Sequence, residues 1–238
     1  MSFSTRGDLP EIVRNDAGHY EGDLKHYFKV VFFKAQNLQK GYHNFRHMLH
    51  VLWLCYLACI FYKGKITKRD ARDLLIAAIF HDFDHPGAMG EDDLNIERAV
   101  RGFRKHILPE DAPHAENIIA IMRATQYPYT CDSATLSLLA QIIRDADMGQ
   151  AMAAAWLQQV IFGLSEEWGK TPLEVLQIQP KFLANVKFCT EWGRQQFPQS
   201  QLDEKVRESQ ELLAILTGDE VTTQMTRAEV VKETLGRR

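Results

Sequence analysis

The sequence predicts an all-α fold, and three observations lead to this prediction. Apolar side chains recur every three or four residues along most of the chain, which is the period of an amphipathic helix. No stretch alternates apolar and polar residues long enough to form a sheet. Glycine and proline separate the periodic runs, and helices commonly end at such residues. With 238 residues, 45% of them hydrophobic, the chain can bury a sizeable core.

The first three helices have the clearest boundaries. A periodic run over 23–38 is broken by Gly41, and a run over about 43–63, apolar nearly all round, ends at Gly64. The third is expected to begin after Thr67, because Thr67 and Asp70 have the spacing of a capping box. It continues to Phe83, before the chain turns at Pro86 and Gly87.

The same spacing predicts the remaining helices at 92–106, 113–125, 133–145, 149–168, 171–197 and 202–217. Pro128 marks a loop between two of them. Pro180 lies inside the 171–197 run, so we expect a kink or two separate helices there.

Composition indicates one domain over residues 1–238, with a core at about 23–217 and a polar tail at 218–238. The net charge of −3 gives no positive field for nucleic acid or an anionic membrane. The N-terminus lacks the apolar segment of a signal peptide, and the apolar stretch 51–62 is too short to span a bilayer. The four cysteines show no Cys-x-x-Cys spacing and are interpreted as reduced core residues, which favours a cytoplasmic location.

The stretch Phe80–Gly87, Phe-His-Asp-Phe-Asp-His-Pro-Gly, follows a strongly apolar helix. It places His81 and Asp82 at the end of a buried helix. Such groups are seldom buried unless they are paired or bind metal, and an imidazole with a carboxylate is a natural pair of ligands for a divalent cation.

Two further segments offer ligands of the same kind. His43 and His47 are four residues apart and share one face of a helix start, with His50 near that face. Asp145 and Asp147 end another apolar helix, where a carboxylate opposes the helix dipole and a cation would compensate it. The set His47, His81, Asp82 and one of Asp145 or Asp147 suits zinc, iron or manganese, and a second ion could share a carboxylate and a bridging hydroxide.

These motifs resemble a known family. The order His, His-Asp, Asp on a helical chain is similar to the HD-domain metal-dependent phosphohydrolases. The forms Tyr42-His43-Asn44-x-x-His47 and His81-Asp82-x-Asp84-His85-Pro86-Gly87 resemble more specifically the catalytic domain of class I 3′,5′-cyclic nucleotide phosphodiesterases, over about 42–192. The resemblance implies a compact helical bundle and two divalent ions, which could be zinc, magnesium, manganese or iron.

The resemblance also implies roles for single residues. His47, His81, Asp82 and Asp147 would hold the first metal, and Asp82 would bridge to the second. His43 would be the general acid that protonates the departing ribose O3′, supported by Glu97, while His85 would contact the second metal's waters. Gln179 and Phe182 would bind the base, and Tyr42 and Asn44 belong to the substrate-binding motif. The implied reaction is attack of a metal-bridging hydroxide on the phosphorus of a 3′,5′-cyclic nucleotide, giving the 5′-monophosphate.

Two alternatives remain open at this point. One is an HD-type nucleotidase or another nucleotide phosphohydrolase with the same metals, against which the presence of His43 and Asn44 argues. The other is a non-catalytic nucleotide-binding regulatory module, against which the intact ligand set argues. In every case the expected partner is a small nucleotide.

Overall fold

The computed structural model describes residues 9–88, 90 and 92–218. Within these ranges the chain forms α-helices and no β-strand, so the predicted all-α class is confirmed. The α-helices are α1 (Leu9–Arg14), α2 (Lys25–Lys34), α3 (Phe45–Phe61), α4 (Lys68–Phe80), α5 (Asp92–His106), α6 (Ala115–Arg123), α7 (Leu138–Met148), α8 (Gly163–Trp168), α9 (Pro172–Asn185), α10 (Glu191–Gln196) and α11 (Gln199–Thr217).

Helix α4 is the centre of the bundle. Every residue from Ala71 to Phe80 is buried, since α3, α6 and α7 pack along it. The second half of α4, Leu74–Phe80, is apolar on every side, and such a segment is stable only when neighbours cover all its faces. His81 and Asp82 follow directly and are also buried, as the sequence predicts.

Most helix starts lie within three residues of the predicted ones, but the helix expected from residue 133 begins at Leu138, and α1 has no counterpart in the prediction. The capping box of Thr67 and Asp70 is formed, and Thr171 and Glu174 form a second one at the start of α9. The 171–197 run forms two helices, which is one of the two expected outcomes, but the break lies at 186–190 because α9 continues through Pro180 and ends at Asn185. The segment expected as one helix over 149–168 is divided into a 3₁₀ turn (Gly149–Met152), a π-helix (Leu157–Phe162) and α8.

Several sequence expectations concern the chain as a whole. The segments 1–8 and 219–238, and with them nearly all of the predicted polar tail, lie outside the described residues. The single domain stays a prediction. No helix in the described part of the chain is long and apolar enough to cross a membrane. All four cysteines are free thiols. Cys55 and Cys59 lie in the core, but Cys131 is exposed and Cys189 is half-buried, so the assignment of these two to the core is wrong.

A buried ion cluster joins α4 to the loop before α6. The carboxylate of Asp111 is fully buried; Arg72 donates to both its oxygens at 2.7 Å, and Tyr27 donates to Oδ2 at 2.6 Å. Arg69 pairs with Oδ1 at 2.7 Å. Burial opposes ionisation of Asp111, but hydrogen bonds from Arg72, Tyr27 and Arg69 outweigh it and lower the pKa to about 2.

Asp111→Asn is expected to destabilise the protein by about 3–5 kcal/mol, because it leaves a buried arginine without its counter-ion. Since the folded pKa lies below the ordinary value of 3.8, this stabilisation is complete above pH ~4 and is lost as the pH falls towards 2. Urea unfolding from pH 7 to pH 3 measures both effects. Glu116→Gln, at an exposed carboxylate paired with Arg104, is the control and should change stability by less than ~1 kcal/mol.

Candidate metal centre and substrate cavity

Four predicted metal ligands come together from three helices. His47 lies in the first turn of α3, His81 and Asp82 follow α4, and Asp147 lies in the last turn of α7. His47 Nε2 and His81 Nε2 are 3.3 Å apart, and Asp82 Oδ2 lies 3.3 Å from each. Asp147 Oδ1 lies 3.0 Å from His47 Nε2 and 3.8 Å from His81 Nε2. His47, His81 and Asp82 together can hold one metal ion.

The chemistry of this cluster fits a divalent cation. His81 Nδ1 donates to Ala78 O at 2.9 Å, which leaves the Nε2 lone pair directed at the cluster. Asp82 Oδ2 is buried and accepts no hydrogen bond. Burial favours neutral His81, but Asp82 and Asp147 outweigh burial and raise its pKa to about 9. A proton and a metal ion would therefore compete for the same nitrogen.

Asp145 and His50, which the sequence leaves open as ligands, lie outside this cluster. Asp145 accepts hydrogen bonds from the backbone N–H groups of Cys189 and Thr190 at 2.6 and 2.8 Å and from the Thr190 hydroxyl at 2.7 Å. Its two oxygens therefore anchor the loop before α10. His50 Nε2 is buried without a hydrogen-bond partner, and burial, with a smaller effect of His47, lowers the pKa of His50 to about 4.

His43 is held by a glutamate from α8. Its Nδ1 lies 2.6 Å from Glu167 Oε2, while Glu167 Oε1 accepts the backbone N–H groups of Tyr42 and His43 at 2.8 and 2.7 Å. Burial disfavours the charged form of His43, but the Glu167 hydrogen bond and the nearby carboxylates raise its pKa. The arrangement leaves Nε2 as the nitrogen that can transfer a proton.

Glu97 does not support His43, and this expectation is corrected. The helical period turns Glu97 to the outer side of α5, where it pairs with Arg123 at 2.7 Å. Glu167 makes the predicted contact instead. No motif marked Glu167 in the sequence, because it is separated from His43 by 124 residues.

Two glycines allow α8 to approach His43. The backbone of Gly41 meets that of Gly163, and a Cβ on either residue would overlap the carbonyl oxygen of the other. Gly163 directly follows the π-helix Leu157–Phe162 and begins α8. Only residues without a side chain permit this contact, so the two glycines bring Glu167 within hydrogen-bond distance of His43.

His85 stacks on His43, with ring centroids 3.7 Å apart and an angle of 16°. Its Nδ1 accepts from Gly87 N, and its Nε2 lies 3.0 Å from Asn95 Nδ2. Burial, followed by the charge of His43, lowers the pKa of His85 to about 4. His85 is therefore the neutral ring of the pair at pH 7, while the pKa of His43 is raised.

Asn37, which no motif indicated, connects the two histidine motifs. It is buried, and its Nδ2 donates to His43 O at 2.7 Å and to Asp82 O at 2.8 Å. Its Oδ1 accepts from Asp84 N at 3.1 Å, at a residue with φ of 61°. One side chain thus fixes the separation of the predicted general acid and a predicted metal ligand.

Asn37→Asp should lower both metal affinity and turnover, because a carboxylate offers no N–H to the two carbonyl groups. Each orphaned buried acceptor costs about 1–3 kcal/mol, and a misplaced catalytic group can cost about 10²-fold in rate. Metal titration and kcat measure the effect. The matched control is Gln39→Glu, the same amide-to-carboxylate change at an exposed position. Equal metal affinity in all three proteins would contradict the role of Asn37.

A cavity of about 270 Å³ connects the cluster to the predicted base-binding residues. Its wall includes His43, Asp82 and Asp147 together with Gln179 and Phe182. It is near the small end of the range for small-molecule sites, about 300–1,000 Å³.

Gln179 has an unused hydrogen-bonding atom in this wall. It is 2% exposed, its Oε1 has no partner, and its Nε2 makes one long contact of 3.4 Å to Val175 O. Phe182 follows three residues later on α9, so the two side chains share a face of the helix. Tyr127 packs edge-on against Phe182, with centroids 6.1 Å apart.

Tyr42 also lines the cavity, whereas Asn44 does not. The Asn44 side chain caps α3, accepting from Arg46 N at 2.9 Å and His47 N at 3.1 Å and donating to the carbonyls of Lys40 and Gly41. Its predicted contact with substrate is corrected accordingly. Capping fixes the start of α3 and thereby the position of His47.

The sequence model of the 3′5′-cyclic nucleotide phosphodiesterase family matches residues 42–155. The resemblance indicated by the motifs is thus confirmed. This is a hydrolase family whose members are metal-dependent. The matched range contains both histidine motifs and Asp147 but ends before Glu167, Gln179 and Phe182. No curated protein matches the chain.

Proposed function

Since residues 42–155 of this chain match the sequence model of the 3′5′-cyclic nucleotide phosphodiesterase family, we propose that it hydrolyses a 3′,5′-cyclic nucleotide to the 5′-monophosphate. The main support is the position of His43, which is hydrogen-bonded to Glu167 and lines the same cavity as two of the four clustered ligands. A proton donor beside a metal site is what cleavage of a phosphoester with a poor leaving group requires.

His47, His81, Asp82 and Asp147 would hold the first metal ion, and Asp82 would be shared with a second. When bound, such ions supply Lewis-acid stabilisation of phosphoryl charge and activation of water. Zinc, magnesium, manganese and iron all remain candidates, because imidazole and carboxylate ligands accept each of them.

His43 holds a proton at Nε2 and gives it to the departing ribose O3′. Glu167 orients the ring and stabilises its charged form. Neutral His85, stacked on His43, fixes the plane of the ring. Gln179 would bind the edge of the base through its unpaired Oε1, and Phe182 would stack on the face of the base.

A substrate panel tests the proposal on metal-loaded protein. Cyclic AMP or cyclic GMP should be converted to the 5′-monophosphate, while nucleoside monophosphates remain intact. Turnover of monophosphates alone would favour an HD-type nucleotidase. Nucleotide binding without turnover of any substrate would favour a regulatory module.

Gln179→Ala should raise KM by about tenfold with little change in kcat, because one base-reading amide contributes about 1–3 kcal/mol of binding. Steady-state kinetics with the preferred cyclic nucleotide measure this. Gln177→Ala, at an exposed position two residues earlier on α9, serves as the control. An unchanged KM for Gln179→Ala would remove it from the substrate site.

A cytoplasmic location is also proposed, on the support of the four free thiols. The proposed partner is a small nucleotide; nucleic acid and membrane are not proposed as partners.

A further inference from the structure

A second groove lies behind the metal-binding turn. It has a volume of about 600 Å³ and lies between the end of α2 and one face of α5. Phe83 and Asp84, from the turn that also carries Asp82, line it as well. None of the predicted ligands of the metal centre lines it.

The lining of this groove is strongly basic. Lys34, Arg98, Arg101 and Lys105 line it together with His106, and among the described residues Asp84 is its one carboxylate. One oxygen of Asp84 already accepts a hydrogen bond from Gln36 N at 2.9 Å. Among the described residues, none of the four lysine and arginine side chains has a carboxylate within 4.0 Å. The local excess of positive charge contrasts with the net charge of −3 of the whole chain.

Helix geometry explains only part of this charge. Lys105 and His106 lie in the last turn of α5, where cations compensate the helix dipole. Arg98 and Arg101 lie one to two turns earlier, beyond the reach of that effect. Residues 98, 101 and 105 have the spacing of one helix face, so three cations of α5 point into the groove together. Burial, and then the charges of Lys105, His26 and Lys34, lower the pKa of His106.

We propose that this groove is a second, non-catalytic binding site for a small polyanion that carries two or more phosphate groups. Charge-assisted hydrogen bonds from the two arginines and two lysines would neutralise the phosphates and relieve the repulsion among the cations. A groove of about 600 Å³ suits a compact ligand better than an extended backbone. The proposal does not depend on the catalytic function, because none of its residues takes part in the proposed reaction.

The site also adjoins the catalytic frame. Gln36 and Asp84 line the groove and are hydrogen-bonded to each other. Asp84 N also donates to Asn37, whose side chain donates to the carbonyl groups of both His43 and Asp82. A ligand in the groove would therefore touch the turn that carries predicted metal ligands.

Isothermal titration calorimetry of the full chain with inorganic tripolyphosphate tests the site. A chelator in the buffer removes metal ions, so that no tripolyphosphate is bound through a metal. Wild type should bind one equivalent, with an affinity that falls as salt rises. The double variant Arg101→Gln/Lys105→Gln should bind at least about tenfold more weakly, because it loses two charge-assisted contacts. Arg104→Gln, on the same helix but paired with Glu116 outside the groove, should bind like wild type.

Absence of binding to wild type, or equal binding by all three proteins, would overturn the proposal. So would displacement of tripolyphosphate by a DNA duplex of about 20 base pairs, roughly two helical turns, if the binding of this duplex were lost in the double variant, because the groove would then serve nucleic acid. Thermal melts of the variants verify folding, and exposed substitutions of this kind should leave them unchanged.

Discussion

Asp82→Ala is expected to remove metal binding and turnover together. It deletes the carboxylate oxygen that lies 3.3 Å from both imidazole nitrogens of the cluster. Metal ions contribute several kcal/mol to phosphoryl-transfer rates, so the loss in kcat should reach about 10³-fold or more. Elemental analysis after dialysis and cyclic nucleotide turnover are the two measurements. The fold should survive, because Asn37 bonds the backbone carbonyl of residue 82, which alanine retains.

Glu97→Gln is the matched control for this variant. It removes a carboxylate that pairs with Arg123 at the surface, about half exposed. Metal content and kcat should both remain those of wild type. If Asp82→Ala kept stoichiometric metal and full activity, the assignment of the cluster as the metal centre would be abandoned. If Glu97→Gln lost activity, the correction in favour of Glu167 would be in error.

His43→Ala should lower kcat by about 10²–10⁴-fold, the usual contribution of a general acid, while metal content stays unchanged. The role can be separated from a structural one by changing the leaving group. An aryl phosphodiester such as bis(p-nitrophenyl) phosphate expels a weakly basic phenolate that needs little protonation. The loss in His43→Ala should therefore be much smaller for this substrate than for a cyclic nucleotide. Equal losses for both substrates would show that His43 positions the site but donates no proton.

Glu167→Gln tests the same assignment through pH. Glu167 raises the pKa of His43 against the opposing effect of burial, so glutamine should lower that pKa. Activity that requires protonated His43 falls as pH rises through its pKa. The alkaline limb of the kcat profile should consequently move to lower pH in Glu167→Gln. Glu166→Gln, one residue earlier on α8, should leave the profile in place.

Much of the candidate site could be predicted from sequence, because it depends on local structure. An apolar run of helical period ends at His81 and Asp82, and the run of α7 ends close to Asp147. The capping box of Thr67 and Asp70 sets the start of α4 and hence the position of its end. These features require only spacing, helix propensity and the position of a turn.

Other features depended on which helix faces meet. Glu97 and Glu167 are both glutamates on helices, but the period of α5 directs the first to Arg123, while the contact of Gly41 with Gly163 brings the second to His43. Asn37 donates hydrogen bonds to backbone carbonyl groups of two separate motifs. The residues next to Asn37 in sequence give no sign of these contacts.

The sequence by itself determined the helical class, the ends of the helices that carry the predicted ligands to within three residues, and the residue types of the candidate metal site. The tertiary structure decided which glutamate supports His43, that the Asn44 side chain caps α3, and that Gln179 faces the same cavity as Asp82. The physical reason is that spacing along a chain fixes which side chains share a helix face. Which faces pack together is set by contacts between residues far apart in sequence.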